Sequence, residues 1–157
     1  MFKNIKLLIL CSFFSLVGCA SIPTIEQMKK DTAGYQLPKL PEEGKAMVYV
    51  VRPNVLGGII RFNVFLDDKK PESEMGYTRA KQYIYFNVSP GEYQILTKAE
   101  NWAAANINVK PNDIVFLQQN PDMGIVMARN HIHQISDYEG KYHVKRLSLG
   151  TIKKLNK

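Results

Sequence analysis

Gln82-Tyr83-Ile84-Tyr85-Phe86-Asn87-Val88-Ser89-Pro90-Gly91-Glu92-Tyr93 is the stretch on which the fold class turns. Residues 82–88 are dense in aromatic and β-branched side chains, which suit a pleated, half-buried surface. Ser89-Pro90-Gly91-Glu92 then puts proline and glycine at the two central positions of a type II turn, where only glycine takes the positive φ cheaply. Tyr93 to Ala99 reads as the strand that returns to pair with residues 82–88. Downstream the same grammar repeats: Ala104 to Val109, the turn Lys110-Pro111-Asn112-Asp113, then Ile114 to Gln118.

Upstream, Ala46-Met47-Val48-Tyr49-Val50-Val51-Arg52 forms another strand pattern, stopped by Pro53 and the turn residues Asn54 to Gly58. Ile59 to Leu66 resumes as a strand with Phe62, Val64 and Leu66 on one face. Asp67-Asp68-Lys69-Lys70 closes it as a polar turn, and a loop runs through Pro71 and Gly76. Met123 to Ile135 is a long β-like run with Gly124 near its start. Ser136-Asp137-Tyr138-Glu139 fits a capping box, and Gly140 limits the following helix to a short one ending between Gly140 and Arg146. The expected fold is mainly β: an antiparallel sandwich of about seven to eight strands with one short C-terminal helix, a small barrel being the alternative.

The N-terminus carries an address. Lys3 and Lys6 precede an apolar run, Leu7 to Val17, too short for the roughly twenty helical residues that cross a bilayer. Leu16-Val17-Gly18-Cys19 resembles the lipobox of bacterial lipoproteins. That resemblance implies cleavage before Cys19 and acylation of its thiol, and two or more chains anchor stably where one does not. Ala20-Ser21, with no aspartate, implies outer-membrane sorting, and the expected placement has the domain facing the periplasm. The expected organisation is a signal peptide over 1–18, a lipidated N-terminus and extended tether over 19–44, a β-sandwich over 45–149, and a basic tail over 150–157. Within the tether, Thr24 to Lys30 has room for a helical turn or two with Thr24 as cap. Cys11 leaves with the signal peptide and Cys19 is consumed by lipid, so the mature domain has no disulfide.

Removing residues 1–18 of the 157 leaves 139, enough for one domain with its own core. The formal charge of +7 falls to +5 without Lys3 and Lys6. From Lys141 onward there are only bases: Lys141, Lys145, Arg146, Lys153, Lys154 and Lys157. They read either as a solvated, frayed end or as a contact for anionic lipid headgroups and lipopolysaccharide phosphates. No nucleic-acid-binding motif is present, and nucleic acid is not an expected partner.

The opening strand 44–53, the segment Asn63-Val64-Phe65-Leu66-Asp67-Asp68 and the turn Val88-Ser89-Pro90-Gly91-Glu92-Tyr93 together resemble a family of bacterial lipoproteins known as domain of unknown function 2846, over roughly residues 44–147. The resemblance implies a lipid-anchored β-sandwich and brings no activity and no catalytic residues.

Candidate chemistry is sparse. His131-Ile132-His133 places two imidazoles on one face of a strand, with His143 as a possible third ligand of a zinc or copper site. No serine sits in a glycine-flanked elbow. Asp67-Asp68 face opposite ways and suit a turn, and Gly57-Gly58 lacks the lysine or serine of a phosphate loop. Trp102 reads as a plug of the core or an exposed recognition spot, and Tyr77, Tyr83, Tyr85 and Tyr93 as packing or as a sugar- or peptide-binding face. The functional expectation is a non-enzymatic binding or scaffolding module for another envelope protein or cell-surface component, held to the membrane by lipid and needing no cofactor. The alternative is a periplasmic small-ligand or metal-binding protein using His131 and His133.

Overall fold

The computed structural model describes residues 23–156, so the expected signal peptide, Cys19 and Lys157 lie outside the described residues. In chain order the elements are helix α1 (Ile25–Thr32), strands β1 (Ala46–Arg52) and β2 (Phe62–Leu66), a 3-10 turn (Pro71–Ser73), and β3 (Glu74–Thr78), β4 (Gln82–Val88), β5 (Gly91–Lys98), β6 (Trp102–Val109), β7 (Ile114–Asp122) and β8 (Arg129–Ile135). Helix α2 (Asp137–Val144) and the short strands β9 (Ser148–Leu149) and β10 (Thr151–Ile152) complete it. The strands make two five-stranded sheets, ordered β8-β7-β1-β4-β9 and β10-β3-β2-β5-β6. This is the expected mainly β sandwich with a short C-terminal helix. Most pairings are antiparallel, but β1 with β7 and β4 with β9 run parallel.

Alternation explains how β1 holds the middle. Ala46, Val48 and Val50 point between the sheets, while Met47, Tyr49 and Val51 point outward, and every residue of the strand is buried. A strand covered on both faces reads as a continuous apolar run, as this one does. The outward face is covered by α2 and by residues 35–37, which close over Tyr49, Tyr83 and Phe116; the Tyr49 and Phe116 rings stack 5.4 Å apart.

The two proline turns behave differently from expectation. β4 pairs with β1 and β9, whereas β5 pairs with β2 and β6, so Ser89-Pro90 carries the chain from one sheet to the other rather than closing a hairpin. The turn at Lys110-Pro111-Asn112-Asp113 does the same between β6 and β7. Val88 and Val109, just before each turn, are buried between the sheets and pin both arches. The hairpins are instead β2–β3, β5–β6 and β7–β8.

Both ends of the domain also differ from expectation. The helix at Thr24 forms, with the Thr24 hydroxyl accepting from the Gln27 amide (3.2 Å) and the Gln27 side chain accepting from the Thr24 amide (2.8 Å). The rest of the expected tether is docked: the Tyr49 hydroxyl donates to the Lys39 carbonyl (2.6 Å), and the Glu42 amide donates to Asn87 Oδ1 (3.1 Å). An aromatic outer face needs a cover, and residues 33–44 supply part of it. The C-terminal segment is folded too, since β10 joins β3, and the Asn87 amide N–H donates to the Leu155 carbonyl (2.7 Å). At α2 the expected capping box is absent. The Ser136 hydroxyl is buried without a partner, and the Ser136 carbonyl accepts from the Gly140 amide (2.9 Å).

Candidate functional site

The end of the sandwich where β1 finishes and β2, β4, β6 and β8 begin is shaped by four loops: residues 53–61, 79–81, 99–101 and 123–128. Apolar tips project from two of them. Ile59 (89 % exposed), Met123 (86 %), Ile125 (93 %) and Val126 (85 %) are almost fully solvated, with Val55 and Leu56 also exposed. Scattered surface apolar side chains are ordinary, but a contiguous patch on neighbouring loops marks an interaction surface.

Two buried or engaged charges hold these loops in place. Arg52, the last residue of β1, alternates inward at this end and is completely buried. Its guanidinium donates to the carbonyls of Ile60 (2.7 Å), Gly57 (2.8 Å) and Leu56 (3.0 Å) and lies 3.7 Å over the Phe62 ring. Desolvation pulls its pKa down to about 10, which leaves it charged at neutral pH. Under the second loop, the Glu100 carboxylate accepts from the backbone amides of Met127 (2.7 Å), Val126 (2.9 Å) and Ile125 (3.1 Å). Those three donors, that of Met127 foremost, hold the carboxyl below its ordinary range. Gly124 is required for this turn, since a Cβ there would lie 1.8 Å from the Met127 carbonyl oxygen. Gly57 lies at φ +62 with its would-be Cβ 2.9 Å from the Ala128 Cβ, so the two loops touch through a position that only glycine fits.

Beneath the loops the space between the sheets is closed by polar pairs rather than apolar packing. The Thr78 hydroxyl donates to Gln119 Oε1 (2.5 Å), and the Thr97 hydroxyl donates to Asn130, which also accepts at its backbone carbonyl from the Asn101 side chain (2.8 Å). A groove of about 620 Å³ runs from Ile59 and Met127 onto the outer face of β2, β5 and β6, past Trp102, Phe65, Lys69 and Lys98. Trp102 is half-buried there against Phe65, ring centroids 5.2 Å apart, with the ammonium groups of Lys69 and Lys98 5.1 and 5.4 Å from its ring centroid. It is therefore a surface aromatic and not a plug of the core.

The histidines separate. His131 and His133 stack on the outer face of β8 with centroids 5.8 Å apart. His131 Nδ1 bonds Asp122 Oδ2 (2.8 Å) and its Nε2 bonds the Asn120 amide (3.2 Å), so both ring nitrogens are engaged. His143 lies on α2, its pKa pushed down to about 4 by burial and then by Lys81 and Arg146. Among the described residues no three His, Cys, Asp or Glu side chains come together to hold a metal. The alternative metal site of His131, His133 and a possible third ligand His143 is not assembled, because strand and helix carry His143 elsewhere.

The C-terminal bases are also dispersed. Lys141 pairs with Asp137 (2.9 Å), Arg146 with Asp31 (2.5 Å), and Lys145 donates to the Asp31 carbonyl (2.6 Å), so this group ties α2 to itself and to α1. Lys153 pairs with Glu74 and Lys154 donates to the Glu72 carbonyl, on the other sheet. Tyr83 and Tyr85 pack with Tyr49 beneath the helix layer, Tyr93 donates to the Ser89 carbonyl (2.9 Å), and Asp67 and Asp68 serve their turn by accepting from the Gln94 and Lys70 amides.

The loop residues escaped the sequence reading because Met123 to Ile135 resembles one strand. The available signal was Met123-Gly124-Ile125-Val126-Met127, consecutive apolar residues without alternation, which a half-exposed edge strand would not carry.

No helix among the described residues is long and apolar enough to cross a membrane. A family model described as protein of unknown function (DUF2846) matches residues 42–131. An uncharacterized protein of Haemophilus influenzae is 24 % identical over 136 residues, covering 85 % of this chain and 77 % of that protein.

Proposed function

This chain belongs to the DUF2846 family of proteins of unknown function, and we propose that it is a lipid-anchored lipoprotein of the bacterial envelope whose sandwich binds another envelope component without catalysing a reaction. The observation that carries the binding reading is the crown of Ile59, Met123, Ile125 and Val126, held outward by Arg52 and Glu100. Fully exposed apolar side chains are unfavourable in water unless something covers them. The anchoring reading is supported by the order of lysines, apolar run and Leu16-Val17-Gly18-Cys19, and the outer-membrane placement by Ala20-Ser21. The five peptide units from Cys19 to Thr24 reach at most about 18 Å when extended, and the following helix and residues 39–42 are tied to the domain through Asp31, Lys39 and Glu42, so a lipid on Cys19 would hold the sandwich close to the bilayer.

The test is photo-crosslinking in intact cells with a benzophenone side chain at Ile59 or, as control, at Asn108 on the opposite end, in the native chain and in a Cys19→Ala variant. Adducts from position 59 that are absent from position 108 and lost with Cys19→Ala are expected. Equal labelling from both positions, or none from position 59, rejects the crown as the binding surface.

A further inference from the structure

We propose that the crown is a membrane-contacting surface: the apolar tips of loops 53–61 and 123–128 enter the headgroup region of an anionic bilayer while the bases around them meet its phosphates. The inference rests on the reading of the crown as a binding surface and names its partner.

Charge complementarity is the first argument. The loops and strand ends at the crown carry Arg61, Arg79, Lys81, Lys98 and Arg129. No described ion pair involves any of these five. The acids at the same end are Glu100 and Asp122; the first is occupied by three backbone amides and the second by His131. The buried Arg52 adds a further positive charge beneath them. At the other end the loops carry Glu42, Glu43, Asp67, Asp68, Glu92 and Asp113 against Lys45, Lys69, Lys70 and Lys110. The sandwich is therefore polarised, with its basic end also its apolar end. Apolar insertion combined with basic contact is how interfacial segments hold to anionic lipid, and each base near such a surface strengthens the attraction.

Shape is the second argument. Ile59, Ile125 and Val126 are 85–93 % exposed and only rim open grooves, Ile59 the one of about 620 Å³ and the other two one of about 300 Å³, so their side chains stay accessible to a deformable apolar layer. Trp102 is the third. Its ring lies in the groove that leads from the crown, against Phe65, reached by Lys98 from the crown end and by Lys69 from the opposite turn; an amphipathic ring with a long cationic side chain favours the headgroup level of a bilayer.

The test uses the full chain with a single tryptophan reporter. Trp102→Phe is combined with Ile125→Trp at the crown, with Val126→Trp as a second crown reporter, or with Asn108→Trp at the acidic end. Each protein is reconstituted into vesicles of equal parts phosphatidylglycerol and brominated phosphatidylcholine, and into brominated phosphatidylcholine alone, with circular dichroism confirming the fold. Emission from the crown reporters should shift to the blue and be quenched about twofold or more in the anionic vesicles, with the Asn108→Trp reporter unaffected. Arg61→Gln with Arg129→Gln should reduce that quenching severalfold. Vesicle-associated protein whose crown reporters stay unquenched overturns the proposal, as does equal quenching in both vesicle types. If quenching is absent while a crosslinker at Ile59 captures a protein in cells, the binding reading stands and the lipid partner is wrong; if both are absent, both readings fail.

Discussion

Replacing Arg52 with methionine removes the guanidinium and keeps most of the aliphatic volume. In the native chain three loop carbonyls, of Leu56, Gly57 and Ile60, accept from this one group at 2.7–3.0 Å. Hydrogen bonds to a charged group contribute about 1.5–3 kcal/mol each, so their gross loss is about 4.5–9 kcal/mol. Against this stands the relief of no longer burying a cation that has no carboxylate partner, which returns several kcal/mol. A net loss of about 3–4 kcal/mol follows, and it should fall unevenly. The carbonyls can regain partners only by turning towards water, so the loop must open while the sheets beneath it stay paired. Urea unfolding should show the lower stability, and hydrogen exchange should show protection lost over residues 54–61 well before it is lost in β1 or β4. An Arg52→Met chain with native stability and native exchange over that loop would refute the idea that the guanidinium holds the crown.

Three other perturbations test the frame around it. His143 is neutral in the fold with a pKa near 4, below its unfolded value of 6.5, so the unfolded chain binds the extra proton between those values and stability falls as pH drops from about 6.5 to 4. After discounting for partial exposure the loss is about 2 kcal/mol, and His143→Asn should flatten that part of the stability–pH curve relative to wild type. Gly140 admits no side chain, because a Cβ would lie 2.0 Å from the Phe116 ring; Gly140→Ala should cost about 2–3 kcal/mol in thermal or chemical unfolding as α2 is pushed off the sheet. Tyr49→Phe removes the hydroxyl that both donates to and accepts from Lys39 (2.6 and 3.1 Å), and should cost about 1–2 kcal/mol while raising proteolysis within residues 35–44.

What the chain shows on inspection is its local grammar. Ala46–Arg52 and Gln82–Val88 are legible as strands because their composition and alternation do not depend on their neighbours. The path between strands is not. A Pro-Gly turn suits a hairpin and an inter-sheet arch equally, and only the pairings of β1 with β4 and of β5 with β2 decide between them. Glu74–Thr78 escapes notice because Gly76 interrupts it, yet that glycine is what lets β10 lie alongside: a Cβ there would be 2.2 Å from the Thr151 carbonyl oxygen. The bases from Lys141 onward look like a free tail until Asp31 and Glu74, far away in sequence, are found beside them. Arg52 is the most instructive case. As the last residue of a strand before Pro53 it looks like a solvated end, and its burial follows only from the loop that folds back over it.

Rigidity and exposure at the crown belong together. A flexible loop bearing isoleucine, valine and methionine would lower its free energy by folding those side chains back against the nearest apolar surface. Here the backbone is not free to do so, because the carbonyls of Leu56, Gly57 and Ile60 are held by Arg52 and the amides of 125–127 by Glu100. The side chains therefore stay outward, and less conformational freedom remains to be lost when something covers them. Two classes of variant should then separate. Changes at the tips, such as Ile125→Ser, remove contact area and weaken binding without altering loop exchange. Glu100→Gln leaves the tip chemistry intact but loosens the loop, so it should weaken binding while exchange over residues 125–127 rises. If Glu100→Gln loosens the loop and binding is unchanged, preorganisation has no part in what the crown does.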